Sequence, residues 1–229
     1  MPEKRFVEIR KVVLLMGTST YFRGAVGIIA LLAASAAHAQ FFLDLPSQSS
    51  TFGSNMRGYW FTAPVDFQIT GLRVPTDAAT GVQRIQLVRL SAPPPLFSNT
   101  TTNFSTLFFE PGAAGTDFLD MAIPISAGDV IGVLGVRSNG TSDVNSYGTA
   151  NYVSSILGNP VTLGRLGSQN PLSSGPAPDL WAENGGSISR VEMRFTPAVS
   201  AAPEPGTLAL SALGLGLAGF TLRKRKSAS

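Results

Sequence analysis

Residues 57–90 read RGYWFTAPVDFQITGLRVPTDAATGVQRIQLVRL, and this stretch decides the fold class. Its segments 57–62, 65–74 and 82–90 are rich in aromatic and β-branched residues, which favour strands. Apolar and polar residues alternate in parts of the last two segments, as they do in strands with one buried face. The Pro-Thr-Asp and Thr-Gly sequences within 75–81 are typical of turns. The stretch therefore predicts successive strands joined by short connections.

The pattern of short strands continues to residue 195. No long segment between residues 40 and 202 repeats its apolar residues every 3.6 positions, so no helix is expected there. Many short strands separated by turns are typical of an all-β fold, and we expect an antiparallel β-sandwich of jelly-roll type. The further predicted strands are 104–110, 117–123, 129–137, 145–153 and 188–195.

Residues 158–186 are dense in glycine, proline, serine and asparagine. This composition predicts a long irregular surface loop, which contains Trp181. In the predicted strand 57–62, Tyr59 and Trp60 are neighbours and must point to opposite faces of the sheet. We expect Trp60 to lie in the core and leave the position of Tyr59 open.

The C-terminal 27 residues combine three distinct elements. Pro203-Glu204-Pro205 is followed by an uncharged apolar segment, 206–222, and then by the cations Arg223, Lys224, Arg225 and Lys226. As a helix the apolar segment is about 25 Å long at ~1.5 Å per residue, which is enough to cross a thin bilayer. The cations are expected to stay in the cytoplasm, with the preceding chain outside. The alternative is a core helix of a soluble domain with a solvated basic tail.

These three elements, in this order and spacing, resemble the PEP-CTERM sorting signal of Gram-negative bacteria. The resemblance implies that a membrane-embedded exosortase processes the chain at Pro203-Glu204-Pro205. It also implies a link to extracellular polysaccharide and biofilm, but it assigns no activity to the preceding domain. A proline-rich linker in front of an ordinary membrane anchor is the alternative reading of the same residues.

The N-terminus has the features of a cleavable leader. A short apolar stretch, 24–37, ends in Ala37-His38-Ala39, whose small residues suit a signal peptidase, so we expect cleavage before Gln40. Translation starting at Met16 would give a leader of more usual length. The expected organisation is a signal peptide at 1–39, a β-sandwich ectodomain at 40–202 and a sorting signal at 203–229.

Removing both ends changes the electrostatic character of the chain. The whole sequence carries a net charge of +3, whereas residues 40–202 contain eight arginines and eleven acidic residues, a net charge of −3. A basic surface for nucleic acid is therefore not expected. Residues 40–202 also lack histidine, cysteine and lysine. This excludes a Ser-His-Asp triad, a cysteine nucleophile, a Schiff-base lysine and the usual zinc sites.

Carboxylate chemistry is the catalytic option that remains. Asp117 with Asp120, and Asp179 with Glu183, are the acid pairs closest in sequence that would suit a glycosidase. Solvated loop carboxylates are the simpler interpretation of all four, and we expect no enzyme activity. No cofactor is expected, although Asp143 or Asp179 would be candidate ligands for structural calcium.

The expected function is that of an exported cell-surface or extracellular-matrix protein with a non-catalytic domain. Its expected partners are signal peptidase, exosortase, the inner membrane and extracellular polysaccharide. The alternative is a carbohydrate-binding module of the same matrix, with Trp181 and Tyr59 offering flat faces to sugar rings. The same rings filling the core is the competing interpretation.

Overall fold

The computed structural model describes residues 39–198, and within them every regular element except one short 3₁₀ turn, Leu172–Ser174, is a β-strand. The strands are β1 Phe41–Phe42, β2 Ser50–Gly53, β3 Arg57–Thr62, β4 Phe67–Arg73, β5 Gln83–Leu90, β6 Phe104–Ala113, β7 Leu119–Ile125, β8 Val130–Ser138, β9 Asp143–Gly148, β10 Tyr152–Ile156, β11 Asn159–Gly167, β12 Trp181–Glu183, β13 Ile188–Ser189 and β14 Glu192–Pro197.

The strands form two sheets that pack face to face. The small sheet has the order β1-β14-β4-β7, and the main path of the large sheet is β10-β11-β3-β8-β5-β6. Strand β12 pairs with β11, while β9 pairs with β8, β2 and β13. Every pairing between named strands is antiparallel. The expected all-β fold and antiparallel sandwich are confirmed.

The alternation read from the sequence decides which face of β4 is buried. Phe67 and Ile69 point into the sandwich and are fully buried. The pairing of β4 with β7 shifts register between Ile69 and Gly71, as at a β-bulge. The irregularity brings Leu72, three positions after Ile69, back to the buried face. Phe67, Ile69 and Leu72 therefore all lie on the buried face of β4.

The core between the two sheets is built from inward-facing residues of both. Tyr59 belongs to this core and is fully buried, and its hydroxyl donates a hydrogen bond of 2.8 Å to the carbonyl oxygen of Val191. Trp60 points to the opposite face of the large sheet and is only partly buried. This corrects the expectation that Trp60 is the core residue. The hydrogen bond explains how the phenol is accommodated, because a buried hydroxyl needs a partner.

A second apolar cluster covers the outer face of the large sheet. Its members include Leu172, Ala177 and Leu180 from the segment after β11, packed with residues of β5 and β8. The segment 158–186 is therefore not the surface loop that its composition predicted. It contains β11, which pairs with β3, and β12, and it buries apolar side chains between them.

Glycines in β11 explain why this segment was misread. A Cβ atom at Gly164 would lie 2.6 Å from Nε1 of Trp60, and one at Gly167 would lie 2.5 Å from Cζ2 of Trp181. These glycines let two tryptophan rings pack close to the strand backbone. A glycine inside a strand often marks a place where another group packs close to the backbone.

Two other predicted strands are interrupted. The predicted strand 145–153 is divided between β9 and β10 by a turn in which Asn151 has a φ of +48°. The predicted strand 188–195 is divided into β13 and β14. The strands β1 and β2 were not expected, since neither has a clear alternating pattern.

Several expectations concern residues outside the described range. The apolar leader segment with Ala37, the Pro203-Glu204-Pro205 motif, the segment 206–222 and the cations 223–226 all lie outside it. Ala39 and Gln40 are its first two residues, and both are exposed. Across residues 39–198, the structure contains no helix with the length and apolar character needed to span a membrane.

Gly58 provides a test of the packing between β3 and β8. A Cβ atom there would overlap the backbone carbonyl of Val133 in the neighbouring strand. We expect Gly58→Ala to lower the free energy of unfolding by about 2 kcal/mol or more, because the two central strands must separate. Urea unfolding measures the change. Gly112→Ala in β6 is the control, since its nearest neighbour would be Val82 at 3.8 Å. Equal stability of the two variants would contradict the packing described.

Candidate functional site

A groove runs along one end of the small sheet. It consists of two adjoining clefts of about 410 and 400 Å³ that share Arg73, Arg190 and Glu192. Phe42 and Phe118 line the first cleft, and Asp77 lines the second. We call this feature, defined by these six residues, the distal groove. It combines aromatic and charged side chains on a rigid β scaffold.

Two ion pairs lie within the groove. Arg73 at the end of β4 pairs with Glu192 at the start of β14, directly across the two strands. Arg190 pairs with Asp77 from the β4–β5 turn and also donates a hydrogen bond of 3.1 Å to the Ser146 hydroxyl. The two arginines and two carboxylates of these pairs cancel in charge, and Asp44, which also lines the first cleft, adds one negative charge. A ligand would find fixed hydrogen-bonding groups there, without a strong net field.

Stacking contacts hold the aromatic side chains of the groove in place. The ring of Phe118 lies 4.5 Å from the guanidinium of Arg73 and 5.0 Å from that of Arg194. Such cation–π contacts add to the packing of the ring. Phe42 approaches Phe118 with ring centroids 5.8 Å apart, yet 59% of Phe42 is exposed. Phe42 is thus an apolar ring held open to solvent at the groove.

A buried arginine holds together the loops next to the groove. Arg137 in β8 is fully buried and donates hydrogen bonds of 2.8–2.9 Å to the carbonyl oxygens of Val74, Gly81 and Gly115. Burial lowers the pKa of Arg137 from its usual value. Gln83 connects the same loops by accepting from the Val74 amide and donating to the Asp117 carbonyl. Sequence reasoning missed both residues, because alternation alone does not identify a buried polar side chain.

The Arg73–Glu192 pair of the groove and the exit of the chain lie at opposite ends of strand β14. Strand β14 begins at Glu192 in the groove and ends at Pro197, where the described chain leaves the sheet. The antiparallel partner β4 runs from Phe67, opposite Pro197, to Arg73, opposite Glu192. Five residue steps at ~3.4 Å separate the two ends by about 17 Å. The Arg73–Glu192 pair is therefore remote from the point where the chain leaves the sheet, whereas Phe42, opposite Arg194, lies closer to that point.

The two aromatic residues expected to contact sugars are both buried. Tyr59 lies in the core, and Trp181 is only 2% exposed. The indole of Trp181 lies 4.7 Å from the Arg57 guanidinium, and its ring centroid is 5.0 Å from that of Phe97. Neither ring presents a face to solvent in this structure. Burial corrects the expectation that they form a glycan-binding face, and it supports the competing interpretation that they fill the interior.

The acids named as catalytic or calcium candidates are largely engaged by arginines. Asp120 pairs with Arg194, and Asp143 pairs with Arg84. Glu183 pairs with Arg165 at 3.1 Å. Asp117 is exposed. Among the described residues, no group of three or more His, Cys, Asp or Glu side chains is placed to hold a metal ion.

Comparison with known proteins identifies the tail and leaves the sandwich unassigned. The family model described as "PEP-CTERM protein-sorting motif" matches residues 201–226. This match confirms the resemblance read from the sequence. No curated protein and no solved structure matches the chain significantly.

Tyrosine ionisation tests the burial of the aromatic residues. Burial raises the pKa of both Tyr59 and Tyr147, and a hydrogen bond to Asp44 raises the pKa of Tyr152. In the unfolded chain these groups ionise near pH 10. Because the folded pKa values are higher, stability is retained below about pH 10 and falls as the pH rises above it. We expect Tyr59 and Tyr147 to contribute little phenolate absorbance near pH 10 until the protein unfolds.

The control for this titration is Tyr59→Phe. It should lose stability at neutral pH through the unpartnered Val191 carbonyl, by about 1–3 kcal/mol. Its stability should also fall less steeply above pH 10. A tyrosine signal that titrates fully near pH 10 while the circular dichroism of the fold is unchanged would contradict the burial of Tyr59 and Tyr147.

Proposed function

We propose that this chain, a PEP-CTERM protein, is exported, processed by an exosortase at the membrane, and delivered as a non-catalytic β-sandwich to the cell surface or extracellular matrix. The matched sorting motif at 201–226 is the observation that carries this proposal. Export and processing follow from the motif, and the role of the sandwich after processing is the proposed part.

The position of the motif relative to the fold supports processing. The last strand ends at Pro197, and five residues separate it from Pro203. All fourteen described strands therefore precede the motif. Cleavage near Pro205 would leave both sheets and both apolar cores covalently intact. Removal of the tail would therefore leave every described strand unbroken.

The chemistry of the side chains supports a non-catalytic role. Residues 40–202 contain no histidine, cysteine or lysine. Three of the acids considered for catalysis or calcium binding form ion pairs with arginine, namely Asp120, Asp143 and Glu183. A carboxylate held by a guanidinium is poorly placed to act as a general base or nucleophile, because its oxygens are already engaged.

Substitution of the motif tests the sorting part of the proposal. In cells that contain the exosortase, Glu204→Ala combined with Pro205→Ala should leave the tail uncut, so the protein stays in the membrane fraction. Intact mass then includes residues 206–229, whereas the unsubstituted protein should begin at Gln40 and end near Pro205. Asp117→Ala, at an exposed acid of the sandwich, is the control and should be processed normally. Normal trimming of the motif variant would contradict the proposal.

Carbohydrate binding in the distal groove is the second candidate function. The observation that favours it is the exposed Phe42 ring beside two arginine–carboxylate pairs. The apolar face of a sugar ring packs on an aromatic ring, and its hydroxyl groups bond to charged side chains. An extracellular polysaccharide presented at the cell surface is the ligand class that fits.

A pull-down with extracellular polysaccharide tests this second candidate. We expect Phe42→Ala to reduce binding about tenfold, the loss of roughly 1.4 kcal/mol of ring contact. Phe97→Ala is the matched control, because Phe97 is similarly exposed at 53% but lies outside the groove. Unchanged binding of the Phe42 variant, or equal loss in both variants, would exclude the groove as the binding site.

A further inference from the structure

The first described strand lies beside the root of the tail. Phe41 of β1 pairs with Phe195 of β14, and Phe42 pairs with Arg194. Only Thr196 and Pro197 follow Phe195 in the strand. Strand β1 is also the outer strand of the small sheet on this side. The free edge of the sheet and the start of the tail are therefore neighbours.

The short connection keeps this part of the sandwich close to the motif. An extended chain spans at most ~3.3–3.6 Å per residue. The six steps from Pro197 to Pro203 therefore reach about 20 Å in any conformation. If Pro203 lies at the surface of a bilayer, as the apolar segment behind it requires, the end of β14 lies within about 20 Å of that surface.

This edge carries one of two pairs of adjacent exposed apolar residues in the described chain, the other being Leu96 and Phe97. Five large hydrophobic side chains are strongly exposed in residues 39–198: Phe41, Phe42, Leu96, Phe97 and Val153. Two of the five form strand β1, with 40% of Phe41 and 59% of Phe42 exposed. Phenylalanine buries a large apolar area when it leaves water. Two exposed phenylalanines next to a membrane anchor lie within reach of the apolar part of the bilayer.

We infer that the β1 edge, defined as Phe41 and Phe42, contacts the interface of the lipid bilayer while the tail is embedded in it. This rests on the proposed function, since the tail supplies the tether. The contact holds the sandwich on its β1 side, close to the site of processing. Once the tail is removed, the tether is lost and the β1 edge returns to water, which frees Phe42 at the distal groove.

The charges around the edge indicate an apolar contact. Arg194, opposite Phe42, forms an ion pair with Asp120, and Asp44 accepts a hydrogen bond from the Tyr152 hydroxyl. Among the described residues beside the two rings, no excess of cations is left to attract anionic headgroups. The contact should therefore be insensitive to salt and to the fraction of anionic lipid, unlike binding by a basic patch.

The absence of cysteine from the chain allows a direct test. A single cysteine at Gln40, next to Phe41, or at Ser98, next to Phe97, carries an environment-sensitive label; both positions are exposed. The tail-bearing protein, produced from residue 40 onward, is reconstituted into phosphatidylethanolamine–phosphatidylglycerol vesicles. We expect the label at residue 40 to be shielded several-fold more from an aqueous quencher than the label at residue 98. The shielding should persist at high salt.

Two further measurements complete the test. Phe41→Ser with Phe42→Ser should remove the shielding at residue 40 while the protein still floats with the vesicles, whereas Leu96→Ser with Phe97→Ser should change neither. Equal exposure of the two labels on vesicle-bound protein would overturn the contact and leave the sorting function intact. If the tail-bearing protein does not float with the vesicles, the tail does not anchor it in the membrane. The contact proposed for the β1 edge is then overturned as well.

Discussion

Burial of strand β3 on both of its faces is the constraint on which the rest of the structure depends. Tyr59 and Phe61 fill the core between the sheets, and Trp60 packs into the second cluster on the outer face. Gly58 lets β8 approach on one side, and β11 pairs on the other. A strand buried on both faces needs a cover on each, which the small sheet and the segment after β11 supply.

The antiparallel arrangement also separates two features of the protein along one strand. Strand β14 starts at Glu192 in the distal groove and ends at the root of the sorting tail. The Arg73–Glu192 end of the groove is held by this ion pair and lies beside the loops that Arg137 holds through its contacts with the carbonyl oxygens of Val74 and Gly115.

The sequence predicted strands well where alternation was strong and poorly where packing required unusual residues. Strand β3 was predicted with its observed bounds, because aromatic and β-branched residues dominate it. Strand β11 was missed because Gly164 and Gly167 give the segment the composition of a loop. In the structure these glycines make room for tryptophan rings that pack against the strand. The burial of the Tyr59 side chain was also not predicted, since the carbonyl of Val191, which accepts a hydrogen bond from its hydroxyl, is remote in sequence.

By itself, the sequence determined the all-β class, the PEP-CTERM signal and the lack of histidine, cysteine and lysine between residues 40 and 202. These features depend on composition or on neighbouring residues, which one chain displays directly. The tertiary structure alone decided that Trp181 is buried, that Phe42 is exposed beside the Arg73–Glu192 pair, and that β1 lies against β14. Each depends on strands far apart in sequence, and only packing of the sheets brings them together.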